Sequence, residues 1–334
     1  MTASEATGRE SAGFEAVCVG ETMVMVTPTP GGRLDAESTF VLRAGGAESN
    51  VAMFLAALGH RVAWAGRVGA DPLGDLVVDQ VGAAGVDTSL VEVDPTCPTA
   101  VYLKDPTPDG TRVYYYRRGS AAAGMGPAYA ARLAGVPATV LHLSGITPAL
   151  SASCRSLVDE LIVARPAGRR LVSFDVNFRP ALWADAAGAA ADLLRLARLA
   201  DVVFVGLDEA ARLWDVRTPE QVRDLIGPPG TLVVKNGAVD AVAFHDDGAT
   251  VEPARPAEVV EPVGAGDAFA AGWLSGALRG LDHTARLRLG HLVAGAALGS
   301  VSDFASLPPV ETICAVLGIP PDVWRRPAPA PADS

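Results

Sequence analysis

Gly264-Ala265-Gly266-Asp267 is the segment of this chain best suited to do chemistry. It follows Glu261-Pro262-Val263 and opens an apolar helical run, Ala268-Phe269-Ala270-Ala271-Gly272-Trp273-Leu274. Small residues just ahead of a helix let backbone N–H groups approach an anion, and the helix dipole adds partial positive charge at that end. Gly264, Ala265 and Gly266 are therefore expected to form an anion hole for a transferring phosphoryl group. Asp267, in the first turn, is expected to accept the proton of an attacking hydroxyl. The plainer alternative is a capped helix after a Gly-x-Gly turn, because Asp is a common cap. Two rival phosphate motifs are missing: the chain has no G-x-x-x-x-G-K-S/T, and this loop does not complete G-x-G-x-x-G.

Three other segments carry groups that could hold a polar substrate. Gly45-Gly46-Ala47-Glu48-Ser49-Asn50 combines glycines, which let backbone approach hydroxyls, with Asn50, which both donates and accepts. Tyr114-Tyr115-Tyr116-Arg117-Arg118 has strand character, so Tyr115 and Arg117 share one face. Asp175-Val176-Asn177-Phe178-Arg179-Pro180 follows a buried strand, which puts Arg179 at a strand's C-terminal edge, where α/β sheets bind ligands. An Arg fork suits a carboxylate because it donates two hydrogen bonds. The bland readings are a turn or cap for Asn50, a solvated lid strand for Arg117 and a surface ion pair for Arg179.

The elements that must position these groups read as an α/β fold. Apolar strand candidates lie at 16–20, 62–68, 140–145, 171–176, 202–205 and 231–235. Amphipathic Ala/Leu-rich segments lie between several of them, at 49–58, 72–84, 151–164, 186–199 and 208–214. Buried strands alternating with helices imply a mostly parallel sheet covered on both faces. Residues 22–43 and 97–118 break the rhythm with short strands and turn residues and no helix between them. TAVYLKD and TRVYYYRR, around PTPDG, read as a hairpin, so a small β lid is expected beside the larger body.

Composition excludes several classes. The chain has 334 residues, enough for a large core, and a net charge of −11 from 27 Lys+Arg against 38 Asp+Glu. With no basic stripe, nucleic acid is not an expected partner. Cys18, Cys97, Cys154 and Cys314 are scattered without a C-x-x-C pair, which argues against structural zinc and for free thiols in a reducing cytoplasm. No run of about 18 apolar residues is present, so no membrane span is expected. Residues 1–13 are polar, lack the apolar core of a secretory signal and are expected to be disordered, as is a Pro/Ala-rich tail from 321 to 334.

PVGAGDAFAAG resembles the C-terminal signature of the ribokinase-like (PfkB) carbohydrate kinases, and GGAESNVA, LAALG and AGRVGADPLGD resemble their N-terminal one. The match keeps register from about residue 15 to 320. The resemblance implies a ribokinase-like α/β domain over 14–320, with a central, mostly parallel sheet flanked by helices and a small β-sheet lid. It implies sugar between lid and body, ATP in a shallow groove of the C-terminal part and Mg²⁺ bridging the phosphates. Homo-oligomers, at least dimers, are common in this family.

Within the family, Y-Y-R-x-G-S-A resembles the 2-keto-3-deoxygluconate kinases. That implies substrate contacts for Tyr115 and Arg117, joined by Gly46, Ala47, Glu48, Ser49, Asn50, Tyr102, Arg179 and Asp303. The nucleotide side would comprise Asn177, Arg179, Lys235, Asn236, Gly237, Gly264, Gly266 and His291, with His291 standing where many relatives carry Asn. Glu209 would support the metal indirectly. The chain departs from the family pattern at Gly206 (Asn in relatives), Glu261 (Asp) and Ser302 (Gly). The expected reaction is ATP-dependent phosphorylation of a sugar acid. A fructokinase or other hexose kinase, and a non-catalytic sugar sensor on the same fold, remain as alternatives. The intact Asp267 speaks against the sensor.

Overall fold

Short runs of Val, Leu, Phe and Ala, buried on both faces, build the centre of the main sheet. Its strands lie in the order Gly248–Pro253, Asp240–His245, Thr231–Asn236, Val202–Gly206, Leu171–Asp175, Ala138–Ser144, Phe14–Val19 and Val62–Ala65. All neighbours are parallel from Thr231–Asn236 onward, and the first two strands form an antiparallel extension. This is a computed structural model, and it describes residues 13–325 except 30–31, 108–109, 165–170, 228 and 301. The N-terminal segment expected to be disordered therefore lies outside the described residues, apart from Gly13.

Two apolar cores flank the sheet. One packs the helices Ala47–Ala57, Ala265–Leu278 and His283–Leu298 around Phe54, Trp64, Phe204 and Trp273. The other packs Pro127–Ala134, Ala152–Ala164 and Ala186–Leu199 around Leu141, Leu157, Phe174 and Leu193. Burial on both faces explains why these strands are continuous apolar runs rather than alternating ones.

The expected lid is present as a separate sheet, ordered Phe40–Gly45, Met23–Pro28, Val101–Thr107 and Gly110–Tyr116. Val101–Thr107 and Gly110–Tyr116 form the hairpin read from the sequence, with Tyr102 opposite Tyr115. Its tip, 108–109, lies outside the described residues.

Three expectations change. The run 62–68 is not one strand: Val62–Ala65 joins the main sheet, while Arg67–Gly69 pairs with Glu92–Asp94. Gly66 marks the break, packed so closely on the Trp64 ring that a Cβ would come within 2.3 Å of it. The Asp240–His245 and Gly248–Pro253 hairpin has no counterpart in the sequence reading. The tail does not begin at 321. Pro321–Trp324 forms a helical turn whose Trp324 ring lies 4.0 Å below the Arg279 guanidinium, and Arg279 also donates to the Trp324 carbonyl. Among the described residues no helix is long and apolar enough to cross a membrane.

Candidate active site

The lid, the sheet edge and the start of the helix Ala265–Leu278 meet at a cleft of about 310 Å³. Its lining includes Gly46, Ala47, Asn50, Tyr102, Tyr115, Arg117, Asn177, Arg179, Glu209, Lys235, Gly264, Gly266, Asp267 and Asp303. Segments more than 250 residues apart in sequence thus converge, as the motifs implied.

Asp267 stands in the first turn of Ala265–Leu278 and is buried. Asn50 Nδ2 donates to its Oδ2 at 2.9 Å, and Asn177 Nδ2 donates to its Oδ1 at 3.2 Å. Burial pushes the Asp267 carboxyl up to about 7, and nearby Asp175 adds to the rise. The Asn50 hydrogen bond, Arg179 and Lys235 pull it back down. Asn177 is thus a clamp on Asp267, where the sequence placed it on the nucleotide side. The carbonyl oxygens of both amides are buried without a hydrogen-bond partner, which leaves two acceptors beside Asp267.

Gly264 caps the helix in a left-handed conformation, φ 86°, that only glycine adopts cheaply. A Cβ there would lie 2.8 Å from the Asp303 carbonyl oxygen. First-turn N–H groups have no intrahelical acceptors. Ala265 N–H points at the Pro262 carbonyl, 3.4 Å away, and Ala265 does not line the cleft. The N–H groups at Gly266 and Asp267 are the ones this turn leaves for an anion. Lys235 Nζ reaches to 3.4 Å from the place a Gly266 Cβ would take, and it donates to Asp175 Oδ2 at 2.8 Å. Asp175 was given no role by the sequence, although it heads the segment that supplies Asn177 and Arg179.

The two arginines each have a carboxylate partner already. Arg117 is ion-paired with the buried Glu21, which also accepts from Ser120 Oγ at 2.9 Å. Arg179, partly exposed, lies 3.7 Å from Glu209. For Arg179 this is the ion pair that the sequence left as its plainer reading; for Arg117 nothing in the sequence pointed to Glu21. Arg117 nevertheless keeps one donor in reserve: its Nε is buried without a hydrogen-bond partner while the side chain lines the cleft. Tyr115 stacks near it, 5.4 Å from the guanidinium and 5.8 Å from the Tyr102 ring.

Several expected site residues have other partners. Glu48 turns into the core, where Ser144 Oγ and Thr147 Oγ1 donate to it at 2.7 and 2.9 Å. Ser49 Oγ returns to the Gly46 carbonyl. Asn236 bonds Asp240 across a turn that contains Gly237, and neither lines the cleft. His291 is outside it too, with Nε2 3.1 Å from the Glu252 carbonyl and its ring edge-on to Phe269. Asp303 is in the cleft but holds Tyr102 and Lys104, at 2.7 and 2.8 Å.

Among the described residues no group of three or more His, Cys, Asp or Glu could hold a metal. Glu209 accepts from the backbone N–H groups of Gly206 and Phe178, at 2.9 and 3.1 Å. With Asp175 it brings two carboxylates to the cleft. That donor set fits Mg²⁺, which typically takes one or two carboxylates together with substrate phosphates and water.

Comparison with known proteins shows the family. The model of the "pfkB family carbohydrate kinase" matches residues 14–309. A 2-dehydro-3-deoxygluconokinase of Bacillus subtilis (strain 168) is 35% identical, the alignment covering 94% of this chain and 98% of the relative. One from Thermoproteus tenax is 34% identical over 87% of this chain and 90% of its own length. The crystal structure of a PfkB protein from Polaromonas sp. JS666 superposes with a TM-score of 0.79 at 34% identity, covering 90% of this chain and 99% of that one.

Proposed function

Since this chain belongs to the pfkB family of carbohydrate kinases and has its ribokinase-like fold, we propose that it phosphorylates 2-keto-3-deoxy-D-gluconate at the terminal hydroxyl, with ATP as donor. Asp267 takes the proton of that hydroxyl as its oxygen attacks the γ-phosphorus. The bond from phosphorus to the β,γ-bridging oxygen breaks, and ADP leaves. A base with a pKa of about 7 suits this role, because it is substantially ionised at neutral pH and still holds a proton well. Asn50 and Asn177 fix both carboxylate oxygens, so the base needs little rearrangement to act. N–H groups of the Gly264–Asp267 turn, with Lys235 behind them, stabilise charge on the transferring group. Mg²⁺ bound with the nucleotide would neutralise phosphate charge, and Asp175 and Glu209 are the two cleft carboxylates that would hold it.

The observation that carries the sugar-acid assignment is the reserved donor of Arg117. A buried guanidinium N–H without a partner, on a side chain that lines the cleft, is costly unless an acceptor completes it, and a carboxylate does so well. The names of the relatives at 34–35% identity support the same class. A neutral ketose is the second reading, because Glu21 and Glu209 already offset the charge of the two arginines. ATP-coupled assays on 2-keto-3-deoxygluconate, its galactonate epimer, fructose and ribose decide between them. A preference for fructose in direct competition overturns the sugar-acid assignment.

A further inference from the structure

Lys104 is a lid lysine with 1% of its surface exposed, and it does not line the cleft. Its ammonium sits between two carboxylates, 2.8 Å from Asp303 Oδ1 and 3.6 Å from Glu261 Oε2. Those two residues frame the anion-hole turn. Glu261 Oε1 accepts from the backbone N–H of Val263, at 3.3 Å, so this carboxylate shapes the approach to Gly264. Asp303 packs its backbone so tightly on Gly264 that no Cβ fits between them. Tyr102, two residues before Lys104 and so on the same strand face, holds the other Asp303 oxygen at 2.7 Å.

We propose that Lys104 is a positioning residue through which the lid strand sets the anion-hole turn. The strand Val101–Thr107 carries Tyr102 into the cleft, while Lys104, behind the cleft wall, grips both flanks of the turn that must meet the phosphoryl group. Without the ammonium, Glu261 and Asp303 become two buried carboxylates with no cation between them. The low-dielectric surroundings make that arrangement costly, so the turn must shift, admit water or take up a proton. Misplacing turn donors weakens transition-state stabilisation more than ground-state sugar binding.

The test rests on the kinase reading but not on the identity of the sugar, since each variant is compared with wild type on whichever sugar the wild type phosphorylates. Lys104→Met keeps the stem and removes the charge. Its kcat should fall roughly tenfold or more, as displaced catalytic donors do, while calorimetric sugar affinity stays within about threefold. Glu261→Gln alone should lower kcat several-fold, because it loosens one flank. Lys104→Met combined with Glu261→Gln should regain part of the kcat lost in Lys104→Met, because it removes one of the two stranded carboxylates. If Lys104→Met does not fold, Glu261→Gln decides by itself. A wild-type kcat in either single variant, or losses that simply multiply in the double variant, would overturn the proposal and leave Lys104 a stabilising core residue.

Discussion

Asn177 Nδ2 stands 3.2 Å from Asp267 Oδ1, and the backbone that holds it there is left-handed, with φ at 40°. A non-glycine residue in that region stores strain, which the surrounding structure must sustain. Here the strained residue lies at the end of a buried strand and aims its amide at the base. Together with Asn50 on the opposite oxygen, it fixes the orientation of a carboxylate that burial alone would leave poorly solvated.

Replacing the base tests its role directly. Asp267→Asn keeps size and capping ability and removes basicity. Its kcat should fall by at least roughly 10²-fold, the lower end of general-base contributions, with sugar affinity little changed. A variant that turns over at the wild-type rate removes Asp267 from the mechanism.

The pH dependence follows from the same group. The proposed base works ionised, so kcat/KM should rise with pH through about 7. Asn50 lowers this pKa by bonding the charged form, so Asn50→Leu should move the acidic limb to higher pH. The stability effect has the opposite sense. The folded state holds this proton more tightly than the unfolded chain, so its contribution is fully present below the ordinary value of 3.8 and is lost as pH rises through about 7. Asp267→Asn has no such loss. Its Tm relative to wild type should therefore improve between pH of about 5 and about 8, as followed by thermal melts. A constant difference would contradict the raised pKa.

Gly264 gives a geometric test of the turn. Gly264→Ala forces a Cβ into left-handed backbone and against the Asp303 carbonyl. Strain of this kind costs on the order of 1–3 kcal/mol, and relieving it must move the turn. Turnover should drop sharply while sugar binding by calorimetry stays near wild type. Loss of sugar binding with unchanged kcat would assign Gly264 to the sugar side instead.

What the sequence made legible, and what it hid, follows from the reach of each interaction. Strands such as 140–145 and 202–205 are readable because burial on both faces leaves a continuous apolar run. The Gly264–Asp267 turn is readable because its backbone needs glycine at 264. Glu48 and Ser49 share the motif of Asn50, but helical geometry sends their side chains elsewhere, and motif membership cannot show that. Glu21, Lys104 and Asp175 were missed for a related reason. Each takes its meaning from a partner far along the chain, Arg117, Asp303 and Lys235 respectively. Charge signs in a sequence do not reveal which distant groups will neutralise one another.

The sharpest prediction concerns the two arginines, whose environments differ. Arg179 is partly exposed and 3.7 Å from Glu209, which keeps two backbone N–H donors, so it can swing toward a ligand without leaving that carboxylate unpartnered. Arg179→Leu should fold normally. Losing one charge-assisted hydrogen bond of about 1.5–3 kcal/mol should cost roughly 10–150-fold in kcat/KM toward the sugar acid, and far less toward fructose. Arg117 is a different case, because Glu21 is fully buried beneath it. Arg117→Leu strands that carboxylate, and breaking a buried pair this way costs about 3–5 kcal/mol of stability. It should therefore lower Tm as well as sugar-acid turnover. Combining Arg117→Leu with Glu21→Leu should restore much of the Tm but not the preference for the acid, because the reserved Nε donor is still missing. Kinetics on both sugars, read beside thermal melts, separate the two effects. If Arg179→Leu slows acid and neutral substrates equally, and the double variant recovers acid turnover together with Tm, neither arginine meets a substrate carboxylate. The sugar would then be neutral, and the carbohydrate kinase assignment would stand unchanged.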